Sequence, residues 1–188
     1  MTEQIKKTIY WIDRKKRIIS VSDLWDRFAQ ENGGSGISAT DVQGRSLWDF
    51  IIGDTARMWL EALLQLTVLK NETVVRPYRC DSHQLKRYMQ MHIIPEDSGI
   101  LKVEHVLLST ENRIVPVFIR HSPQRSTEHI HARCSVCGRI ENNQLWEEPD
   151  LNKSSGSIHL NVIYTVCPDC LNTLPQVLAK NKLKAQAD

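Results

Sequence analysis

Four of the five cysteines fall as two pairs. Cys134 and Cys137 stand in CSVCGRI, Cys167 and Cys170 in VCPDCLN, and 29 residues separate the pairs. No other feature limits the fold as much. Each CxxC loop can turn two thiolates toward one point, and two loops fill the four corners that Zn²⁺ accepts without geometric strain. Gly138 follows the first pair and suits a turn that needs positive φ. Pro168 fixes one φ inside the second loop. A thioredoxin-like redox pair expects a helix after it within a βαβ unit, and Gly138 breaks such a helix. The spacing therefore points to one closed Zn(Cys)₄ site made of Cys134, Cys137, Cys167 and Cys170. A closed site leaves no open position for a substrate, which makes its role structural. Reversible oxidation with zinc release is the competing reading.

Charge and composition narrow the setting. The chain has 188 residues with formal charge +2, so length suggests one domain or one plus a small appendix. Four thiolates and a divalent cation would bring that charge to zero, and Arg133 and Arg139 flank the first loop, where they can offset the anionic cluster. The near balance does not suggest a general nucleic-acid or membrane-surface binder. Between 134 and 170 only Arg139 and Lys153 are cationic, against Glu141, Glu147, Glu148, Asp150 and Asp169. Such an acidic ribbon is a poor partner for phosphate. No apolar run approaches the length that spans a bilayer. The start, MTEQIKKTIYWIDRKKR, lacks the apolar stretch of a secretory signal, so the expected location is the cytoplasm, where thiols stay reduced.

The C-terminal third reads as a small metal module. Residues 139–148 look polar and turn-like. IHLNVIYTVC alternates with period two and is expected to be a strand that delivers Cys167. LNTLPQVLAKNKLKAQAD has weak helical spacing.

The first 120 residues are richer in elements. Residues 8–13 and 17–21 read as strands around a basic turn, DRKKR. Ser22 or Asp23 can cap a helix, LWDRFAQEN, and GGSG ends it. Asp54 can cap a second helix in which Met58, Trp59, Ala62, Leu63 and Leu66 form one stripe. Residues 73–80, 86–94 and 100–109 alternate as three further strands, with PEDSG as the last turn. A β-β-α-α-β-β-β order implies an antiparallel sheet with helices on one face, an α+β fold.

The stretch from IYWIDRKKRIISVSDLWDRFAQENG through GRSLWDFI to PYRCDSHQLKRYMQMHIIPEDSGILKVEHVLL resembles a PAS domain, over about residues 5–110. A PAS-like unit followed by two CxxC loops is also similar to an arrangement in some bacterial signalling proteins. The resemblance implies a PAS-like domain over 1–120, and a zinc-ribbon-like module with a helical tail over 121–188. It implies a sensor with a cleft between sheet and helices, protein partners in a signalling pathway, and a homodimer as one mode of assembly. The flavin-thiol photosensor segment, of NCRFLQ type, is absent. Flavin or haem is not expected, although His83, His92 and His105 are candidates to approach a pocket.

Arg79, Asp81, His83 and Arg87 sit close together in RPYRCDSHQLKR. They can brace two strands as an ion-pair network or hold an anionic ligand at the cleft mouth. His105 and Trp48 are further pocket candidates. Cys80 reads as a partly buried small side chain; a sensor thiol would need a lowered pKa. No P-loop, kinase signature or Ser-His-Asp set is assembled, so the chain is expected not to be an enzyme. Three functions remain open: a PAS-like signalling protein with structural zinc, a thiol-based redox or metal sensor that releases zinc, and a zinc-ribbon nucleic-acid-binding regulator.

Overall fold

A computed structural model describes residues 7–31, 36–122, 130–151 and 154–173. Two five-stranded sheets frame the fold. The first contains β1 (Lys7–Ile12), β2 (Ile18–Val21), β3 (Val74–Arg79), β4 (Leu85–Pro95) and β5 (Leu101–Asn112), in the spatial order β2-β1-β5-β4-β3 and antiparallel throughout. Between β2 and β3 lie α1 (Trp25–Glu31), α2 (Ala39–Val42), a 3-10 turn (Leu47–Phe50) and α3 (Asp54–Lys70). This is the expected α+β arrangement.

Local chemistry explains the elements. Asp13 Oδ1 accepts the backbone N–H groups of Lys15 and Arg17, both at 2.8 Å, and so closes the basic hairpin turn. Ser38 caps α2, a short helix, in a reciprocal capping box with Asp41. The stripe on α3 is shifted from the expected one. Ala56, Trp59, Leu60, Leu63, Leu64 and Thr67 are buried, whereas Met58 is 72% exposed and Ala62 is exposed as well. Thr67 can join the buried face because its hydroxyl donates to the Leu63 carbonyl at 3.0 Å.

The second sheet runs β6-β10-β7-β8-β9, from β6 (Val117–His121), β7 (Ile130–Cys134), β8 (Ile140–Asn142), β9 (Leu145–Glu147) and β10 (Ile158–Thr165). β10 pairs in parallel with both β6 and β7. The sheet begins at Val117. Residues 139–148 form a hairpin instead of an open turn, because Asn143 and Gln144 both take positive φ, 49° and 68°. A one-turn helix, α4 (Pro168–Leu171), follows β10. The helical tail expected beyond it lies outside the described residues.

The two sheets share one core. Tyr10, Ile12, Leu63, Leu64, Ile93 and Val103 cluster with Cys134, Val136, Val166, Cys167 and Cys170. Gly53, at the start of α3, has φ +93°, and a Cβ there would stand 2.6 Å from the Tyr164 carbonyl oxygen on β10. Only glycine permits so close an approach of helix and strand. A separate small cluster of Val115, Val117 and Ile158 serves the far end of the second sheet. Among the described residues no helix is long and apolar enough to cross a membrane.

Candidate metal centre and adjoining cavity

β7 delivers Cys134 and β10 delivers Cys167, two neighbouring strands that run the same way and end together. Each strand end turns through its CxxC loop. Gly138, at φ +76°, returns its N–H to the Cys134 carbonyl at 3.0 Å, and Leu171 N–H reaches the Cys167 carbonyl at 3.0 Å. As a result the Sγ atoms of Cys134, Cys137, Cys167 and Cys170 all lie within 4.8 Å of one another. Cys137 Sγ and Cys167 Sγ are 3.8 Å apart. A tetrahedron with metal–sulfur bonds of about 2.3 Å has sulfur–sulfur edges of about 3.8 Å. The four thiols are thus compatible with a tetrahedral metal such as zinc.

Donors surround the sulfurs. Cys137 N–H and Cys167 N–H point to Cys134 Sγ at 3.5 and 3.4 Å. Arg139 Nε donates to Cys137 Sγ at 3.3 Å, while its Nη2 holds Asp169 at 2.9 Å. Hydrogen bonds from the Cys134 and Cys170 thiols, with Arg139 behind them, hold the Cys137 thiol well below its ordinary range. The same sharing pushes the Cys170 thiol up. Four thiols this close cannot all ionise without a cation among them. Cys134 and Cys167 are 1% and 0% exposed, so the open side of the centre is that of Cys137.

A buried charge network fastens this centre to the first sheet. Asp81 takes a bidentate pair from Arg79, at 3.1 and 2.6 Å, and a third bond from Arg113 Nη2 at 2.7 Å. Arg133 Nη2 stands 3.5 Å from the same carboxylate. Arg79 also pairs with Glu148, and Arg113 with Asp150 at 3.4 Å. Burial opposes the Arg79 charge, but its bonds to Asp81 and Glu148 outweigh that and hold the guanidinium charged. Asp81 touches the metal loop itself, since a Cβ on Gly138 would stand 2.9 Å from its Oδ2. Backbone contacts run in parallel. β3 is an edge strand, and its Arg79 N–H donates to the Val136 carbonyl at 2.8 Å, between the two cysteines of the first loop. Arg76 Nη2 reaches the Thr173 carbonyl, just past the second loop, at 3.0 Å.

The remaining candidates divide. Arg87 gives Asp81 only its backbone N–H, at 3.2 Å. His83 is absent from the network and packs on Phe118, ring centres 4.5 Å apart, with Phe118 stacked in turn on His159. His92 pairs with Gln90 at 2.9 Å. Trp48 lines a surface groove beside Arg14, Lys16 and Arg57. Cys80 is exposed, and its thiol lies above its ordinary value because partial desolvation outweighs the pull of Arg87, the opposite of an activated thiol. The sequence does not single out the other members of this network, Arg113 and Arg133 on Asp81, Glu148 on Arg79 and Asp150 on Arg113. They lie 32, 52, 67 and 69 residues from Asp81, and no local pattern marks such a cluster.

His105 lines a cavity of about 420 Å³ between the first sheet, the helices and the first cysteine loop, whereas Asp81, His83 and Arg87 line a larger space of about 760 Å³ with Arg113 and Arg133. His105 stacks on Tyr10 at 5.5 Å and shares a 2.7 Å hydrogen bond with the Tyr78 hydroxyl. Burial pushes its pKa down to about 4, which leaves the ring neutral. Ser135, Val136 and Val166, all from the metal loops, form one wall of that smaller cavity.

An α+β fold joined to a four-thiol centre is the class that this geometry defines. No family model matches the chain, and no curated protein sequence matches it. Solved structures similar to it include a domain of an HTR-like protein from Haloarcula marismortui, with TM-score 0.40 and 17% identity over 55% of this chain and 98% of that one. The PAS domain of the quorum-sensing receptor RpfR from Cronobacter turicensis, in complex with BDSF, gives TM-score 0.43 and 10% identity over 58% of this chain and 100% of that one. The PAS domain of BvgS from Bordetella pertussis gives 0.33 and 19% over 55% and 73%.

Proposed function

We propose that this chain is a non-enzymatic signalling protein. Its PAS-like unit senses, a structural Zn(Cys)₄ centre at Cys134, Cys137, Cys167 and Cys170 holds its C-terminal sheet, and it acts through contacts with protein partners. The carrying observation is that the four sulfurs share one centre whose loops are packed into the core of the first sheet. A metal placed there ties the ends of β7 and β10 together, and the loops that it fixes meet the first sheet through the Arg79 and Arg76 contacts and the shared core, a route by which a change in the sensing core reaches the C-terminal sheet. All four metal positions are taken by protein sulfur, which supports a structural role. The test is metal analysis of the purified full chain together with unfolding by a chelator. One zinc per chain is expected, and its removal destabilises the first sheet as well. A folded, metal-free chain defeats the reading.

The redox reading has one observation in its favour, the open side at Cys137. Two zinc thiolates would reduce one peroxide to water, form a disulfide and release the metal. Peroxide leaves zinc bound if the centre is structural and releases it reversibly if it is a sensor. The nucleic-acid reading finds less support, because Arg139, one of the two cations between residues 134 and 170, is engaged with Cys137 and Asp169.

A further inference from the structure

Where the two sheets meet, positive charge is left over. Asp81, between β3 and β4, offers about four lone-pair sites on its two oxygens. Arg79 Nε at 3.1 Å and the Arg87 backbone N–H at 3.2 Å donate to Oδ1. Arg79 Nη2 at 2.6 Å and Arg113 Nη2 at 2.7 Å donate to Oδ2. Arg133 Nη2, at 3.5 Å, arrives as a fifth donor and stands at the outer limit of a hydrogen bond. Glu148 and Asp150 are engaged with Arg79 and Arg113, not with Arg133. Yet the Arg133 side chain is only 15% exposed. Arg87 is in a similar position. Its backbone reaches Asp81, but among the described residues no carboxylate pairs with its guanidinium. Four guanidiniums, of Arg79, Arg87, Arg113 and Arg133, thus meet three carboxylates, of Asp81, Glu148 and Asp150. A cation withdrawn from water without a full counter-charge is costly, and proteins normally supply one.

Both under-partnered arginines line the space of about 760 Å³. It is a different place from the apolar cavity between the first sheet and the helices, because β6, β7 and β10 of the second sheet supply Val117, Ile119, Arg133 and Tyr164 to its wall. Arg87 on β4 and Arg133 on β7 come to it from opposite sheets. Cys80 lies on the same wall, and the charges of Arg87 and Arg133 both pull its thiol down against the larger effect of desolvation. The two guanidiniums therefore converge near that thiol. The rest of the wall is largely apolar, with Phe28, Ala29 and Ile37 from the helical side and Val117 and Ile119 from β6.

We propose that this space binds a small organic anion, a monocarboxylate with an apolar body, whose carboxylate is met by the guanidiniums of Arg87 and Arg133. Guanidinium N–H groups match the two oxygens of a carboxylate, and one surplus cation calls for one negative charge. The bound anion joins β4 to β7, the strand that delivers Cys134, and so adds a bond between the sheets that neither makes alone. The site goes beyond the sensor reading and does not depend on it, since it follows from charge and packing.

The test titrates 3-(4-fluorophenyl)propanoate and its uncharged amide into the full chain, followed by fluorine NMR. The acid binds one per chain, and the amide binds roughly tenfold more weakly or worse, the usual cost of losing one charge-assisted hydrogen bond. Arg87→Gln and Arg133→Gln each weaken the acid by a similar factor and leave the amide unchanged. Arg45→Gln, at an exposed arginine paired with Asp49, changes neither. Without ligand, Arg87→Gln does not lower the urea midpoint, because no carboxylate loses a partner. Equal binding of acid and amide, no binding of the acid, or equal acid affinity in wild type and Arg87→Gln overturns the site. A lowered midpoint in ligand-free Arg87→Gln makes Arg87 a strand brace and overturns it as well. Inorganic phosphate that binds at Arg87 more tightly than the acid overturns the monocarboxylate. Metal content is measured in the same sample: a zinc-free chain that still binds the acid defeats the zinc reading and leaves this site standing.

Discussion

The two sheets are held by different physics. The first closes over an apolar core in which Ile12, Leu63, Leu64, Ile93 and Val103 are completely buried. The second shares that core through Val136 and Val166 and has a small cluster of its own, Val115, Val117 and Ile158 with Ile119 and Leu160 against them, at its far end. At its near end sulfur and charge replace hydrocarbon: four cysteines and the Asp81 network. A small sheet with little apolar surface cannot offset its chain entropy by burial alone, and a metal or an ion-pair lattice supplies the remainder. The lesson is that the first sheet should tolerate conservative change that the second cannot.

The sharpest way to break this contrast is to remove the metal. Cys167→Ser, or a strong chelator, should cost the second sheet the free energy of metal binding, about 10–16 kcal/mol in structural zinc sites. Hydrogen exchange should show β7 and β10 losing protection first and β3, tied to Val136 and Thr173, following. If β10 keeps its protection without metal, the contrast is wrong.

Asp81→Asn comes next. The substitution keeps the shape and removes the charge that Arg79, Arg113 and Arg133 share. Breaking a buried ion pair from one side costs about 3–5 kcal/mol. Urea unfolding should register the loss, and a value under about 1 kcal/mol, as for surface pairs, would show the network to be ornamental. Leu63→Ala is the counterpart in the first sheet. At 0% exposure it should cost about 2–5 kcal/mol through the cavity that it opens. The informative readout is its spread: zinc stoichiometry should remain at one while the first sheet weakens.

The same division governed how much could be read from the sequence. The apolar core announces itself by period, so the five strands, α1 and α3 in the first 112 residues were legible, with the short α2 missed and α3 misjudged in which face it buries. Its true face repeats at 56, 59, 60, 63, 64 and 67, and Thr67 concealed it by looking polar. The four cysteines were legible because metal ligation imposes a spacing. The Asp81 network was only half legible: Arg79 and Asp81 are neighbours, but Arg113, Arg133, Glu148 and Asp150 arrive from distant strands. β6 and the β8–β9 hairpin were missed for related reasons. A parallel partner leaves no turn between strands to read, and Asn143-Gln144 adopts left-handed φ without the glycine that usually signals it.

The smallest effect tests the cavity side of the comparison. His105 is a base whose pKa burial pushes down to about 4, against about 6.5 when unfolded. The folded chain refuses a proton that the unfolded chain accepts, so this contribution to stability is complete above pH 6.5 and is lost as pH falls toward 4. Between pH 7.5 and 5.5 the loss should be about 1 kcal/mol. Thiolate protonation at the metal centre weakens the fold over the same range, and wild type alone cannot separate the two. His105→Gln separates them: it keeps a polar partner for the Tyr78 hydroxyl but does not titrate, so its stability should fall less steeply with pH by that amount while zinc release follows the same profile. Equal slopes in the two proteins would mean that acid acts through the sulfur centre alone, and that the core of the first sheet is as indifferent to charge as its hydrocarbon suggests.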